Sequence, residues 1–519
     1  MKKLLAMALC VLLALSCLSF ASAEEEITYP IDTDVTLKVW MGSAVGYSAI
    51  YPSANDAPWY QEWEKRTGID VDWIEPAAGA DKTQAYNLMI AGGDYPDLIF
   101  NSDIVNNAAS HIENKVIIPL NDYLPDYAPN LWAIMQENAD VEKSYKTDSG
   151  DYFCFPMLSE AGTWIGPIVN RQWLDECGLT APETIDEFTA MLKAFKDKYN
   201  VVPFSMCFYT YNVFFSAYGV TSRDVIWYRT KDQKVHYAAC EEGYRDTLRL
   251  FNSWLNDGLL DPDFATIDDN TMCAKAAAGD IGAMAGGYGN FQKIDAALDG
   301  KENTWVAIKY PLLNKGDEYA FFQNSPLTQI NGTGVTTACE NPEIACRFMD
   351  YLYSNEGMIF VNYGYSEGKD ASSDAGYYID ENGKPQYTDL YMNGPEGMVE
   401  YARRFSPAIV GNCPGYKLAQ AGRDRNSQIM RDAEDTWRNG SNEDWWCLPV
   451  LSATAEETED FTDLNSAIST YCGEMYFKFI TGEVDLEKGW DEYIDTLKGM
   501  GVEDMIAIKQ AQLDRFNAR

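Results

Sequence analysis

Histidine is nearly missing from this sequence. Its 519 residues include two, His111 and His236, which stand far apart along the chain. Histidine is a usual ligand of zinc and the usual general base of a Ser-His-Asp triad, so a site of either kind is hard to assemble here. Neither GxxxxGK[ST] nor GxGxxG after a strand occurs, and the calcium-loop pattern DxDxDG is also missing. We therefore expect no cofactor, no metal site and no catalytic residue of these classes.

Positive charge is scarce as well. The chain has 40 Lys and Arg against 79 Asp and Glu, a net charge of −39 at pH 7. Such a surface repels nucleic acid and anionic membranes, so both are poor partners. With 519 residues, 46% of them apolar, the chain is long enough to form at least two lobes with real cores.

The one strongly apolar run stands at the N-terminus. Two lysines precede "LLAMALCVLLALSCLSF", and "ASA" follows before "EEE". This layout predicts a secretory signal peptide at residues 1–23, cut after Ala23. An alternative is lipid attachment at Cys17 in "ALSC", although Ala14 stands where a lipobox usually has Leu. Either way we expect an exported protein, free or tethered at the cell surface.

Cysteine pairs are not evident. Ten cysteines follow the signal segment, and none forms a CxxC pair. An exported protein can form disulfides, but these cysteines occur singly in apolar contexts such as "YFCFP" and "WWCLP". The pattern favours mostly free, buried thiols.

The chain after the signal segment alternates between strands and helices. Strands are predicted at Val35–Gly42, at Ile69–Ile74 and in "PDLIF", and the helix of "NLMIAGGDYPDLIF" ends at its two glycines. This alternation is typical of an α/β fold with a covered parallel sheet. Ligands of open sheets lie beyond the carboxyl ends of strands. That rule places Trp40, Asn101 and Asp103 at the edge of a candidate site.

Aromatic residues are abundant. The chain has 14 Trp and 33 Tyr, whose flat apolar faces and polar edges match the C–H faces and hydroxyl rims of sugar rings. Most of these side chains are needed to fill cores, so loop positions after strands are the better candidates. The aromatic candidates for ligand contact are Trp40, Trp59, Trp164, Tyr288, Tyr365 and Trp446.

The composition is also compatible with two other functions. A glycoside hydrolase needs only two suitably spaced carboxylates, and 79 acidic residues allow many pairs, but no local pattern singles one out. The acidic balance also permits a cationic ligand such as a polyamine or a basic peptide.

Several stretches resemble the extracellular solute-binding proteins of ABC importers, in particular the maltose-binding-like, family 1 group that takes oligosaccharides. The stretches that carry the resemblance occur in the same order as in the family. They are "LMIAGGDYPDLIF", "DSGDYFCFP", "NRQWLDECGL", "GLLDPDFATIDD" with "AAGDIGAM", and "SNEGMIFVNYGYSEGKD". The tail "KFITGEVDLEKGWDEYIDTLKGMGVEDMIAIKQAQLDRF" is similar to the long lipoprotein-type subgroup. Gln172 stands where the family usually has Asp, and Ser366 is inserted within the last of these motifs.

The resemblance implies an α/β fold of the two-lobed periplasmic-binding-protein type, class II, with a hinge of two or three crossing segments. Lobe 1 is expected at residues 30–155 and 307–365, and lobe 2 at residues 160–305 and 366–519. Proteins of this family are not enzymes. They capture a solute, here expected to be an oligosaccharide, and present it to the transmembrane subunits of a permease. A monomer is expected.

Polar side chains are also expected to contact a ligand held between two lobes. They lie in loops or at the ends of strands, although each also suits a helix cap or a surface ion pair. The polar candidates are Asp56, Asn101, Asp103, Asn170, Arg171, Asn290 and Glu367.

Overall fold

The computed structural model describes residues 27–42, 50–77, 80–160, 163–221, 226–317, 327–396, 398–407, 413–438 and 447–519. The predicted signal peptide with Cys17, and the candidate Trp446, lie outside the described residues. Within these ranges no helix combines the length and the apolar composition that a bilayer crossing requires.

The strands, in chain order, are β1 (Thr36–Met41), β2 (Asp70–Ile74), β3 (Leu98–Asn101), β4 (Phe155–Ser159), β5 (Ile165–Asn170), β6 (Phe204–Ser205), β7 (Trp227–Arg229), β8 (Val235–Tyr237), β9 (Ala283–Gly287), β10 (Trp305–Ala307), β11 (Thr328–Val335), β12 (Glu367–Gly368), β13 (Tyr377–Ile379), β14 (Pro385–Tyr387) and β15 (Gly415–Lys417).

The α-helices are α1 (Pro58–Thr67), α2 (Lys82–Gly92), α3 (Ser102–Asn106), α4 (Ala108–Glu113), α5 (Leu124–Tyr127), α6 (Pro129–Glu137), α7 (Ala139–Ser144), α8 (Arg171–Cys177), α9 (Ile185–Tyr199), α10 (Glu242–Asn256), α11 (Asp269–Ala278), α12 (Gly289–Ala297), α13 (Pro342–Asp350), α14 (Asn355–Tyr363), α15 (Asp389–Asn393), α16 (Met398–Phe405), α17 (Ala419–Arg425), α18 (Gln428–Arg438), α19 (Ala455–Thr481), α20 (Leu486–Gly499) and α21 (Val502–Ala518).

The larger sheet has the order β15-β4-β11-β3-β1-β2. Strand β1 is parallel to β2 and β3, and β15 is parallel to β4. Strand β11 is antiparallel to both β3 and β4, so β3 and β4 run in the same direction. The carboxyl ends of β1, β2, β3, β4 and β15 therefore meet at one edge of this sheet.

The smaller sheet has the order β10-β5-β9-β6 and lies in the second lobe. All six residues of β5 and all five of β9 are buried, as expected for strands covered on both faces. A three-stranded sheet of β12, β13 and β14 and the β7–β8 hairpin complete the strand pairing of the described residues.

Two separate hydrophobic cores correspond to the two lobes. The first surrounds the larger sheet and includes Trp63 stacked on Phe348 at 4.2 Å between ring centroids. The second surrounds the smaller sheet and helices α9, α10 and α19 to α21, with Trp254 packed edge-on against Phe214. The two-lobed α/β prediction is confirmed.

Segments distant in sequence build each core. The first core takes residues up to Leu158, takes in Val335 to Val361, and adds Cys413 and Val450. The second core begins at Ile165. The strand β15 falls inside the range predicted for lobe 2, yet it pairs with β4 in the sheet of the first core. The exact lobe limits stay a prediction.

Local sequence signals account for several element ends. Helix α2 ends at Gly93, whose φ of 71° is in the left-handed region that glycine adopts without strain. Thr184 caps α9 by accepting a hydrogen bond from the Glu187 backbone N–H at 3.2 Å. The helix–turn–strand prediction for "NLMIAGGDYPDLIF" is confirmed, since α2 leads through a short turn into β3.

Candidate ligand pocket between the lobes

Two of the predicted aromatic residues lie side by side at the edge of the smaller sheet. The first residue of β5, Ile165, pairs with Gly287, the last residue of β9. This register brings Trp164, just before β5, next to Tyr288, just after β9, and the Tyr288 backbone N–H donates to the Trp164 carbonyl at 2.9 Å. The Trp164 side chain is 40% exposed. It therefore keeps surface on which a ligand can stack.

The first lobe contributes the ends of two parallel strands. Ser159 ends β4 and Lys417 ends β15, and the two residues are direct partners in the ladder. Asn362 of α14 holds the chain just after β15, because its side-chain oxygen accepts from the Leu418 N–H at 2.8 Å and its amide donates to the Tyr416 carbonyl at 2.8 Å. This is the sheet edge that also carries Trp40 and Asn101.

These groups enclose a pocket of about 130 Å³. Its walls come from the first lobe, from the 163–164 connection, from the second lobe and from the α17–α18 segment. The principal lining residues are Ser159, Thr163, Trp164, Tyr288, Asn362, Lys417, Arg425, Asn426 and Glu434. Aromatic faces beside amide, hydroxyl and charged groups form a surface suited to a polyhydroxylated ring.

The charge of the pocket differs from that of the whole chain. Lys417, Arg423 and Arg425 line it, and Glu434 is the one acidic lining residue among those described. Glu434 is already paired, with Arg423 at 3.1 Å and with Arg438 at 2.6 Å. Burial, together with the neighbouring Arg425 guanidinium, lowers the pKa of Lys417 to about 8. The pocket is therefore locally positive within a strongly acidic protein.

Trp40 and Asn101 lie together at the sheet edge. A methyl group on Gly42 would lie 2.7 Å from the Trp40 Nε1 and 3.1 Å from the Asn101 Nδ2. The Trp40 Nε1 is buried and has no acceptor among the described residues. Asn101 caps α3 by accepting from the Asp103 N–H at 2.9 Å.

Asp103 belongs to a hydrogen-bond cluster within the first lobe. Its carboxylate accepts from the Tyr86 hydroxyl at 2.8 Å, lies 2.7 Å from the His111 Nε2 and also bonds the Asn107 amide. Burial opposes ionisation, but His111 and the other hydrogen bonds outweigh it and lower the pKa of Asp103. These partners already occupy much of its capacity to accept hydrogen bonds.

The polar candidates of the second lobe lie at helix starts. Asn170 caps α8 through the Trp173 N–H at 3.3 Å and accepts from the Thr304 hydroxyl at 3.0 Å. Asn290 is buried and donates to Asp269 at 2.6 Å. Arg171, at the start of α8, is exposed.

The other candidates are spread over the molecule. Trp59 is fully buried and stacks on Phe360 at 4.5 Å, which is a core position. Asp56 and Glu367 are exposed, and Tyr365 is half-buried. The pocket thus brings together Trp164 and Tyr288 of the predicted set, and ligand contact by the remaining candidates stays a prediction.

Sequence reasoning did not single out Lys417, Arg425 or Asn426. All three lie in "YKLAQAGRDRN", which begins within the short strand β15 and continues beyond its end. The strand-end rule that selected Trp40 and Asn101 would have selected Lys417, had this strand been recognised. Within the described ranges, no three His, Cys, Asp or Glu side chains are grouped so that they could hold a metal ion.

Comparisons with known proteins agree with this architecture. The family model described as "Bacterial extracellular solute-binding protein" matches residues 58–365, which is 308 of the 519 residues. The fructooligosaccharide ABC transporter substrate-binding protein FusA of Streptococcus pneumoniae is 24% identical over 95% of this chain and 93% of its own length. Lipoprotein LipO of Bacillus subtilis is 23% identical over 87% of this chain and 88% of its own length.

A solved structure is also similar. The crystal structure of the alginate-binding protein AlgQ2 without calcium ion superposes with a TM-score of 0.76 at 21% identity, and the match covers 94% of this chain and 100% of that one. At this identity the likeness concerns the fold.

Proposed function

Because this chain belongs to the bacterial extracellular solute-binding proteins, we propose that it captures an oligosaccharide between its two lobes and delivers it to the transmembrane subunits of an ABC importer. The relation to FusA, a fructooligosaccharide-binding transporter component, supports a carbohydrate as the solute. Ligand contacts made with both lobes at once exist only in a closed state, so such a ligand favours closure.

One observation carries the proposal. Trp164 and Tyr288 stand together at the end of the second-lobe sheet, and the strand ends of the first lobe at Ser159 and Lys417 complete the same pocket. An aromatic wall opposite hydrogen-bonding groups recognises a sugar ring by its face and by its rim at the same time.

The proposal includes export and the absence of catalysis. The signal peptide at residues 1–23 directs the protein across the membrane, with attachment at Cys17 as the alternative to release after Ala23. The protein acts as a monomer, and the bound sugar leaves chemically unchanged. A cationic ligand suits the pocket poorly, because its lining is positive.

The test is binding to a panel of oligosaccharides, polyamines and basic peptides, measured by thermal shift and calorimetry. A true ligand raises the melting temperature by several degrees at saturation. Replacing Trp164 by Ala removes the stacking surface, and we expect a loss of affinity of about 10- to 100-fold. Leu88→Ala is the matched control, since Leu88 is 66% exposed on α2 and does not line the pocket.

Three outcomes would contradict the proposal. Stabilisation by a polyamine or peptide but by no sugar would replace the carbohydrate by a cationic ligand. Cleavage of the bound sugar during prolonged incubation would show an enzyme. An equal loss of affinity in the Trp164→Ala and Leu88→Ala variants would show that this pocket is not the ligand-binding site.

A further inference from the structure

Arg425 is the feature of the pocket that sugar stacking does not explain. It ends helix α17, lines the pocket, and its Nε is buried without an acceptor among the described residues. No ion pair joins its guanidinium to any carboxylate of the described chain, although most other arginines near it are paired. The tyrosine hydroxyls that interact with the guanidinium are those of Tyr391, which also forms a hydrogen bond with it, Tyr387 and Tyr288.

Arg425 is half-buried, with its Nε fully buried, and a guanidinium in such a position without a carboxylate partner is unusual. Arginine keeps its charge at every relevant pH, and removing that charge from water is costly unless an anion or several acceptors compensate it. The tyrosine hydroxyls supply dipoles but no negative charge. The Lys417 ammonium lies in the same pocket and adds a second positive charge, while the carboxylate of Glu434 is shared between Arg423 and Arg438. The compensating anion is therefore missing from the described protein.

We infer that the ligand supplies this anion: the pocket binds an acidic oligosaccharide, with a uronic-acid carboxylate held by Arg425 between the lobes. The inference rests on the proposed function and narrows it to a class of sugar. A planar guanidinium forms two parallel hydrogen bonds with a carboxylate, which fixes the orientation of the sugar as well as adding affinity. Trp164 and Tyr288 then stack on a ring next to the charged group.

The acidity of the whole chain does not oppose this inference. Charges on the outer surface are screened beyond about 8 Å at physiological ionic strength, whereas charges inside a pocket are screened much less. The net charge of −39 slows the approach of an anion, but the local field at Arg425 and Lys417 decides whether it stays.

The test compares three sets of short oligosaccharides with the full-length protein by calorimetry. The first set is acidic, prepared from pectic and alginate polysaccharides; the second is the same material with its carboxylates methyl-esterified; the third is neutral. We expect the acidic set to contain a binder, its ester to bind at least about 10-fold more weakly, and added salt to weaken the acidic ligand alone.

Variants locate the charge contact. Arg425→Gln should lower the affinity for the acidic sugar about 10- to 100-fold, and Arg425→Lys should recover part of the loss. Arg249→Gln is the matched control, because it removes a guanidinium that is paired with Glu487 on α20 in the second lobe and does not line the pocket. This control should bind as the unmodified protein does.

The outcomes separate the two proposals. Binding of a neutral sugar, with no acidic binder and no effect of Arg425→Gln, would overturn this inference and keep oligosaccharide capture. Binding of an acidic sugar that is as strong after esterification would also overturn it. Failure of every sugar to bind would overturn the proposed function together with the inference.

Discussion

Buried thiols form one set of titratable groups that do not line the pocket. All ten cysteines after the signal segment are free in the structure, and seven of them are buried. Burial raises the pKa of Cys154 well above its ordinary value and raises the pKa of Cys413 to about 12. A thiol in the unfolded chain, in contrast, loses its proton above a pH of about 8.5.

The stability of the protein should therefore fall in mild alkali. Because the native thiols stay protonated while those of the unfolded chain ionise, the free energy of unfolding decreases as the pH rises above about 8.5. Each fully buried thiol contributes about 2 kcal/mol of this loss at pH 10. Urea unfolding under reducing conditions at pH 7, 8.5 and 10 measures this decrease in the free energy of unfolding.

Cys154→Ala isolates one thiol. This variant should be less stable than the parent at pH 7 because of the cavity it leaves, and the difference should shrink by about 2 kcal/mol at pH 10. Tyrosine ionisation affects both proteins equally. If the free energy of unfolding of the two proteins changed with pH by the same amount, the prediction would be contradicted.

The types of residue that line the pocket were easier to predict than the hydrogen-bond partners of individual polar side chains. Loop aromatics near strand ends were sound candidates, and Trp164 and Tyr288 do line the pocket. Asn101 ends β3 and Asp103 follows it, as expected. The Asn101 side chain, however, caps α3, and the Asp103 carboxylate contacts His111. A short polar side chain after a strand suits a ligand and a helix cap equally well, and the sequence holds no signal that separates the two.

At the scale of single elements, helix starts show how local signals work. The sequence predicts Thr184 as the cap of α9 with Glu187 in the capping-box position, and the hydroxyl of Thr184 does accept the Glu187 N–H. The Glu187 carboxylate, however, accepts from the Glu183 N–H at 2.9 Å, one residue earlier than in a full capping box. Helix α19 has the complete box between Thr454 and Glu457.

Removing the α9 cap should cost stability. Thr184→Ala leaves the Glu187 N–H without its acceptor, and we expect a loss of about 1 kcal/mol in the free energy of unfolding. Thr184→Ser keeps the hydroxyl and should recover most of that loss. Thermal unfolding of the three proteins compares them directly, and a serine variant as unstable as the alanine variant would show that the hydroxyl is not responsible.

Strongly patterned elements were predictable, and short ones were not. Helix α2 ends at a glycine, and the apolar run of strand β3 follows within a few residues. Strand β15 has three residues and is defined by its pairing with β4, more than two hundred positions earlier in the sequence. Pairing at that distance has no local signal, which is why Lys417 and Arg425 escaped notice.

At the scale of the whole molecule, ion pairs link the lobes away from the pocket. Arg515 of α21, a helix of the second core, bonds Asp148 next to the first core and Glu457 at the start of α19. These side chains are partly exposed, so each pair contributes modestly and is weakened by salt.

Arg515→Ala should therefore loosen the two lobes without unfolding either. We expect the ligand-free variant to have a larger radius of gyration by small-angle scattering, and the ligand-saturated variant to match the parent. Arg249→Gln, which breaks ion pairs inside the second lobe, serves as the control. An unchanged radius in the ligand-free Arg515 variant would show that other contacts fix the hinge.

The interleaving of the two cores has a consequence for how the chain is made. The first core needs residues as late as Val450, and the second needs Leu497, Val502 and Met505. Nearly the whole polypeptide must therefore be present before either half can shield its apolar side chains, and contacts so distant in sequence form slowly. A premature stop codon within the last two helices removes part of the second core and leaves that lobe accessible to proteases. The N-terminal strands can pack fully only after the C-terminal segments have been made.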